Sequence, residues 1–130
     1  MSIVTHTVYA PGLWVEDIQS AMESWEIDFE SAQGDVWADG SPLTWRDLAM
    51  RDQVLPQFLD ATRIVKRGRR ESHRFDLTFE GVKALRREAL YRFEFHGGNG
   101  NAYGSWDPEP AKRNAALVLM RRCEAIVGGV

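Results

Sequence analysis

The sequence predicts an α+β fold, mostly α with a small β component, and three observations carry that expectation. Apolar residues recur at helical spacing over residues 14–29, 79–93 and 115–126. Two β-compatible runs, 62–66 and 73–77, flank a glycine-containing basic turn and read as one hairpin. The chain has 130 residues, room for one core, so residues 1–130 read as a single domain.

Taken in order, Ile3 to Tyr9 is rich in Val, Thr and Tyr and stops at Pro11-Gly12, which predicts a short strand and a turn. Trp14, Ile18, Met22, Trp25 and Phe29 then form one face of a helix over 14–31, with acids on the other face. Gln33-Gly34-Asp35 and Asp39-Gly40 are turn chemistry around a short strand expected at Val36-Trp37. Thr44 is a good N-cap for a helix whose buried stripe is Trp45, Leu48 and Ala49. A separate short helix is expected from Gln53 to Thr62, because Pro56 is comfortable only in a first turn. Arg67 to Ser72 reads as the tip of the hairpin. Thr78 caps a helix reaching about Phe95, in which Glu88 and Arg92 are spaced as an i,i+4 ion pair. Residues 96–104 are too glycine-rich for regular structure. Asp107-Pro108 should open the last helix, 107–127, which ends at Gly128-Gly129.

Charge is sorted along the chain. Residues 1–45 hold eight carboxylates and no Lys or Arg, whereas residues 63–92 hold ten basic residues against four acidic ones. The net charge of -3 hides this division. An acidic lobe and a basic lobe imply a polyanionic partner, an acidic surface that meets a basic one, or both. Thirteen of the sixteen cations are Arg, which suits bidentate contacts to phosphate, although a GC-rich genome produces the same bias. One cysteine, Cys123, excludes an internal disulfide and fits a cytoplasmic location. No signal peptide and no membrane span are expected.

From Thr44 to about Leu90 the chain resembles a winged helix-turn-helix domain of bacterial and phage transcriptional regulators. Thr44-Trp45-Arg46-Asp47-Leu48-Ala49 looks like the first helix of the motif. Arg63 to Arg67, the arginine-rich tip and His73 to Leu77 look like the two strands of the wing. Leu77-Thr78-Phe79-Glu80-Gly81 is similar to the sequence that leaves the wing in many such repressors. The resemblance implies a winged-helix-like core over 44–90, with the acidic helix 14–31 and the C-terminal helix 107–127 packed on it. It also implies DNA binding and a homodimer closed by terminal helices. The segment 52–60 departs from the pattern: two acids, a proline and no basic residue do not make a base-reading helix.

The candidate phosphate contacts are therefore Lys66, Arg67, Arg69, Arg70 and Arg74 of the wing, with Arg86 and Arg87 of the following helix. A second expectation is a non-enzymatic protein-binding adaptor or inhibitor, of the kind carried by phage. It would use Glu16, Glu23, Glu26 and Glu30 on the acidic helix, with Trp37 and Trp106 as interface anchors. His6, His73 and His96 show no ligand spacing, so no metal and no cofactor are expected. No nucleophile–base pair is identifiable, so enzymatic chemistry is not expected either.

Overall fold

The computed structural model describes residues 4–97 and 109–128. Strand β1 (His6–Pro11) is followed by helices α1 (Gly12–Asp17) and α2 (Gln19–Glu30), which break at Ile18. A loop tied by the isolated bridges Gln33–Val36 and Val36–Pro42 leads to α3 (Trp45–Ala49), a π-helical turn (Met50–Val54) and α4 (Leu55–Leu59). Strands β2 (Ile64–Arg67) and β3 (Arg70–Leu77) precede the two long helices α5 (Phe79–Phe95) and α6 (Pro110–Val127). The architecture is mostly helical with one small antiparallel sheet of order β1-β3-β2.

Register explains which sheet face is inward. Val8 lies opposite Phe75 and Ala10 opposite His73, so β1 and β3 turn these side chains to one side. There they meet Trp14, Ile18 and Met22 from the first helical arm, Val54 and Leu55 from the α3–α4 run, and Val82, Leu85, Ala89, Leu119 and Cys123 from the long helices. Helices α5 and α6 pack against each other along their length, and α6 also crosses β1 and α1. The stripe expected on the last helix is mostly consumed here: Ala115, Leu119 and Cys123 are buried in the chain's own core, and Ile126 is half-buried against it. Val118 remains 41% exposed. Burial pushes the Cys123 thiol up to about 12, which leaves it an inert core thiol.

Several local expectations are corrected. Residues 45–59 form one continuous helical run, not two helices separated by a turn, because the backbone stays right-handed helical through Ala49, Met50, Val54 and Leu55. Within it, the Leu55 N–H donates to Met50 O, five residues back. That wider turn just ahead of Pro56 accommodates a residue that has no N–H and whose ring crowds a normal helical carbonyl. The N-terminal end of the run is closed by a capping box: Asp47 N–H donates to Thr44 Oγ1 at 3.2 Å and Thr44 N–H to Asp47 Oδ2 at 2.9 Å. Trp45 was expected in the buried stripe but is 47% exposed, with the Lys83 ammonium 5.6 Å from its ring. The last helix has Glu109 as its N-cap and Pro110 in its first turn, while Asp107-Pro108 lie outside the described residues. Gly128 ends it at φ 80°, as a left-handed glycine cap.

Candidate nucleic-acid interface

The hairpin tip is tighter than its sequence suggested. Arg67 pairs directly with Arg70, leaving a two-residue turn, Gly68-Arg69. Gly68 has φ 67° and among the described residues no non-glycine residue has a positive φ, which makes the turn a type II′ with glycine where that geometry requires it. Lys66, Arg67, Arg69 and Arg70 are all exposed. Among the described residues none of these four forms an ion pair. Two like charges directly opposite one another on adjacent strands oppose hairpin formation. The opposition is partly offset on one side, where the Arg67 guanidinium lies 4.5 Å from the Tyr9 ring centroid.

β2 is the outer strand and rests chiefly on β3. It covers β3 only as far as the Ile64–His73 pair, so the rest of that edge needs other partners. Side chains supply them. Arg63 Nε–H donates to Arg74 O at 2.9 Å, Gln57 Nε2–H to Asp76 O at 2.7 Å, and Asp76 N–H to Gln57 Oε1 at 2.7 Å. His73 Nε2, in the tautomer that donates to a carbonyl, reaches Gln57 O at 2.6 Å. Burial, together with the Arg63 charge, lowers the His73 pKa. Asp76 pairs with Arg63 and lies 3.3 Å from Arg74 Nε. Its carboxyl is held below the usual range, first by the Thr7 hydroxyl at 2.7 Å and then by the two guanidinium groups. Arg74 is thus anchored at the base of the hairpin.

The remaining expected residues scatter. Arg86 pairs with Glu124 of α6 at 3.4 Å, and its side chain is only 17% exposed. Its guanidinium therefore belongs to the α5–α6 packing and not to an open cationic face. Arg87 is exposed and lines a cleft between α2 and α5 in which no hairpin residue takes part. Glu23, Glu26 and Glu30 stand free on the outer face of α2 around Ile27, which is 67% exposed. Glu16 is exposed on α1 and faces the groove beside the hairpin. Trp37 is half-buried and stacked on Phe29 with ring centroids 5.3 Å apart, so one ring face already has a partner. Trp106 lies outside the described residues. The Glu88–Arg92 pair does not form; Arg92 reaches back to Asp17 of α1 instead, at 3.2 Å.

Two features escaped the sequence reading. One is Arg122 of α6, whose Nη1 donates to Tyr9 O at 2.6 Å and which joins Arg67 and Arg70 on the rim of a groove of about 750 Å³. Burial and then the charge of Arg67 lower its pKa. The adjacent pair Arg121-Arg122 was visible, but nothing local placed it next to residues more than fifty positions away. The other is the polar cluster around Asp17, whose side chain is 3% exposed. It meets Arg92, His96 Nε2 at 2.7 Å and Lys112 Nζ at 3.8 Å. Among the described residues no helix is long and apolar enough to cross a membrane. Comparison with protein-family models, with curated proteins and with solved structures returned no match to this chain.

Proposed function

We propose that the protein is a small cytoplasmic, non-enzymatic nucleic-acid-binding regulator that grips the phosphate backbone with its β2–β3 hairpin. The observation that carries the reading is the like-charged Arg67–Arg70 pair at a type II′ tip, with Lys66, Arg69 and Arg122 beside it. A fold gains nothing from setting two guanidinium groups opposite each other. A polyanion does, because each phosphate neutralised releases condensed counterions. The sheet order β1-β3-β2, with α1, α2 and the helical run 45–59 between β1 and β2, is compatible with a winged-helix-like core. The helical run 45–59 does not supply base reading in this proposal. Gln53 and Gln57, the residues best suited to base edges, are engaged with Thr78 and with β3. The expected binding is therefore tolerant of sequence and is directed to DNA backbone and groove shape.

The test is fluorescence anisotropy with a labelled duplex at several salt concentrations. Four phosphate contacts by Lys66, Arg67, Arg69 and Arg70 predict a log–log slope of about -3 to -4. Reversing Arg69 and Arg70 to Glu should abolish binding at low salt. Binding indifferent to that reversal sinks the reading.

A second reading has its own support. The free acidic face of α2 around exposed Ile27 is the chemistry of an adaptor or inhibitor that docks on a basic protein surface. Recovery of a stoichiometric host protein, lost on Ile27→Ser, would favour it. Self-association also belongs to the proposal, as a homodimer held by contact between acidic and basic lobes of different copies.

A further inference from the structure

A second cavity lies away from the hairpin, and its lining is more specific. It is a cleft of about 610 Å³ between α2 and α5, bordered by Arg46 of α3. Trp25 of α2 and Tyr91 of α5 supply aromatic surface. Arg46 of α3 and Arg87 and Glu88 of α5 supply charge. Arg92 also reaches the cleft, but its guanidinium is committed to Asp17. Glu94 is exposed and also lines the cleft.

The charged groups are poorly matched to one another. Among the described residues neither Arg46 nor Arg87 forms an ion pair, and Glu88 accepts no hydrogen bond. Arg46 Nε is buried without a partner. A buried guanidinium N–H that donates to nothing loses its hydration without replacement, at a cost of about 1–3 kcal/mol. Burial raises the Glu88 pKa, while Arg46, Arg87 and Arg92 pull it down. A smaller cavity of about 240 Å³ shares Trp25, Arg46 and Glu88 and is lined as well by Trp37. Arg46 and Glu88 thus stand between two aromatic-lined spaces, each with bonding capacity unused.

We infer that this cleft is a binding site for a small molecule with a planar ring that carries both an oxyanion and an amino group. Arg46 and Arg87 hold the oxyanion, Glu88 accepts from the amino group, and Trp25 and Tyr91 cover the ring. An aromatic amino acid and an aminopurine nucleotide share that chemistry. The site stands apart from the hairpin, so it does not depend on the nucleic-acid reading.

Amide correlation spectra of the 14.8 kDa chain test it directly. L-phenylalanine and adenosine monophosphate are titrated in parallel with 3-phenylpropanoate and inosine monophosphate, which lack the amino group. Saturable shifts at the Trp25 indole N–H and the Arg87, Glu88 and Tyr91 amides are expected for at least one amino-bearing probe. The arm that saturates identifies the source. That probe should bind about tenfold tighter than its partner lacking the amino group, the worth of one charge-assisted hydrogen bond. E88Q should reduce the difference to about twofold or less. R87M, at an exposed position where folding is safe, should weaken both members of the pair about tenfold. Arg69→Glu should leave all of this unchanged. Absence of shifts at these residues with every probe overturns the inference, and so does affinity that is the same in the wild type and R87M.

Discussion

At the scale of single residues, polar side chains do work that the backbone leaves undone. Gln53 is the best example. Its Oε1 accepts the Thr78 N–H at 2.9 Å, and its Nε2–H donates to Thr78 Oγ1 at 2.8 Å, while Thr78 Oγ1 also accepts the Gly81 N–H and caps α5. Glycine at position 81 leaves room for this clamp: a Cβ there would collide with Gln53 Oε1 and displace it, and would fall 3.0 Å from Leu77 Cβ. Gly81→Ala is therefore expected to destabilise the fold by about 1–3 kcal/mol through loss of the Gln53 clamp. In a Gln53→Ala background the same change should cost markedly less, and urea unfolding of the four proteins in the cycle measures the difference. His73 gives a prediction in pH. Its folded pKa lies below the ordinary 6.5, so the unfolded chain binds the proton more readily. Stability is then complete above 6.5 and falls as pH drops below it, until the folded pKa is passed. Urea midpoints between pH 7.5 and 5 should decline in the wild type and flatten in His73→Phe. The carboxyl of Asp76 acts in a separate, more acid window: its contribution is present above the ordinary 3.8 and is lost as pH falls from there through the lowered folded pKa.

At the scale of elements, the Asp17 cluster holds three helices at one point. Arg92 of α5 donates to the Asp17 carbonyl at 2.9 Å as well as to its carboxylate, and His96 and Lys112 bring in the end of α5 and the start of α6. Asp17→Ala would remove the buried carboxylate that Arg92, His96 and Lys112 share, and keep only the Arg92 bond to the residue-17 carbonyl among its contacts to this position. The expected cost is about 3–5 kcal/mol, read from the urea midpoint, and a change below about 1 kcal/mol would sink the idea that Asp17 is a junction. The sequence made the long elements legible, because α2, α5 and α6 each carry an apolar stripe whose period is local information. It made the hairpin legible through Gly68 between two β-compatible runs. It did not disclose the continuity of 45–59. There Pro56 reads as a break, and only the π turn, stabilised by docking on β3, removes the conflict. Nor did it disclose which cations stay free. Arg74 and Arg86 look like Arg69 in sequence, yet Asp76 and Glu124 lie beside them only because β3 and α6 fold there. The basic site could thus be read as a charge density, while its convergence with Tyr9 and Arg122 is a product of tertiary packing.

At the scale of the whole molecule, the segregated charges remain segregated. Of the eight carboxylates in residues 1–45, Asp17 is the one that pairs with the basic stretch 63–92 among the described residues. Glu23, Glu26 and Glu30 stay open on α2, and Lys66, Arg67, Arg69 and Arg70 stay open on the hairpin. An exposed edge strand is a template for pairing with another chain, and cations along β2 suppress that route. They do not suppress attraction to an acidic helix on another copy. The apolar route to a dimer is weakened, since α6 turns Ala115, Leu119 and Cys123 inward and leaves Val118 as the exposed member of its stripe. Association between copies should therefore run through charge and weaken as salt rises, since the Debye length shrinks from about 30 Å at 0.01 M to about 8 Å at 0.15 M. Light scattering is expected to give a dimer at the lower salt and a monomer at the higher. Arg69→Glu with Arg70→Glu should remove the dimer at both. A duplex added at low salt should compete with it, because acidic helix and phosphate would seek the same guanidinium groups. A dimer that survives high salt would place the contact on an apolar surface instead, and a strict monomer at both concentrations would show that the two lobes do not recognise each other.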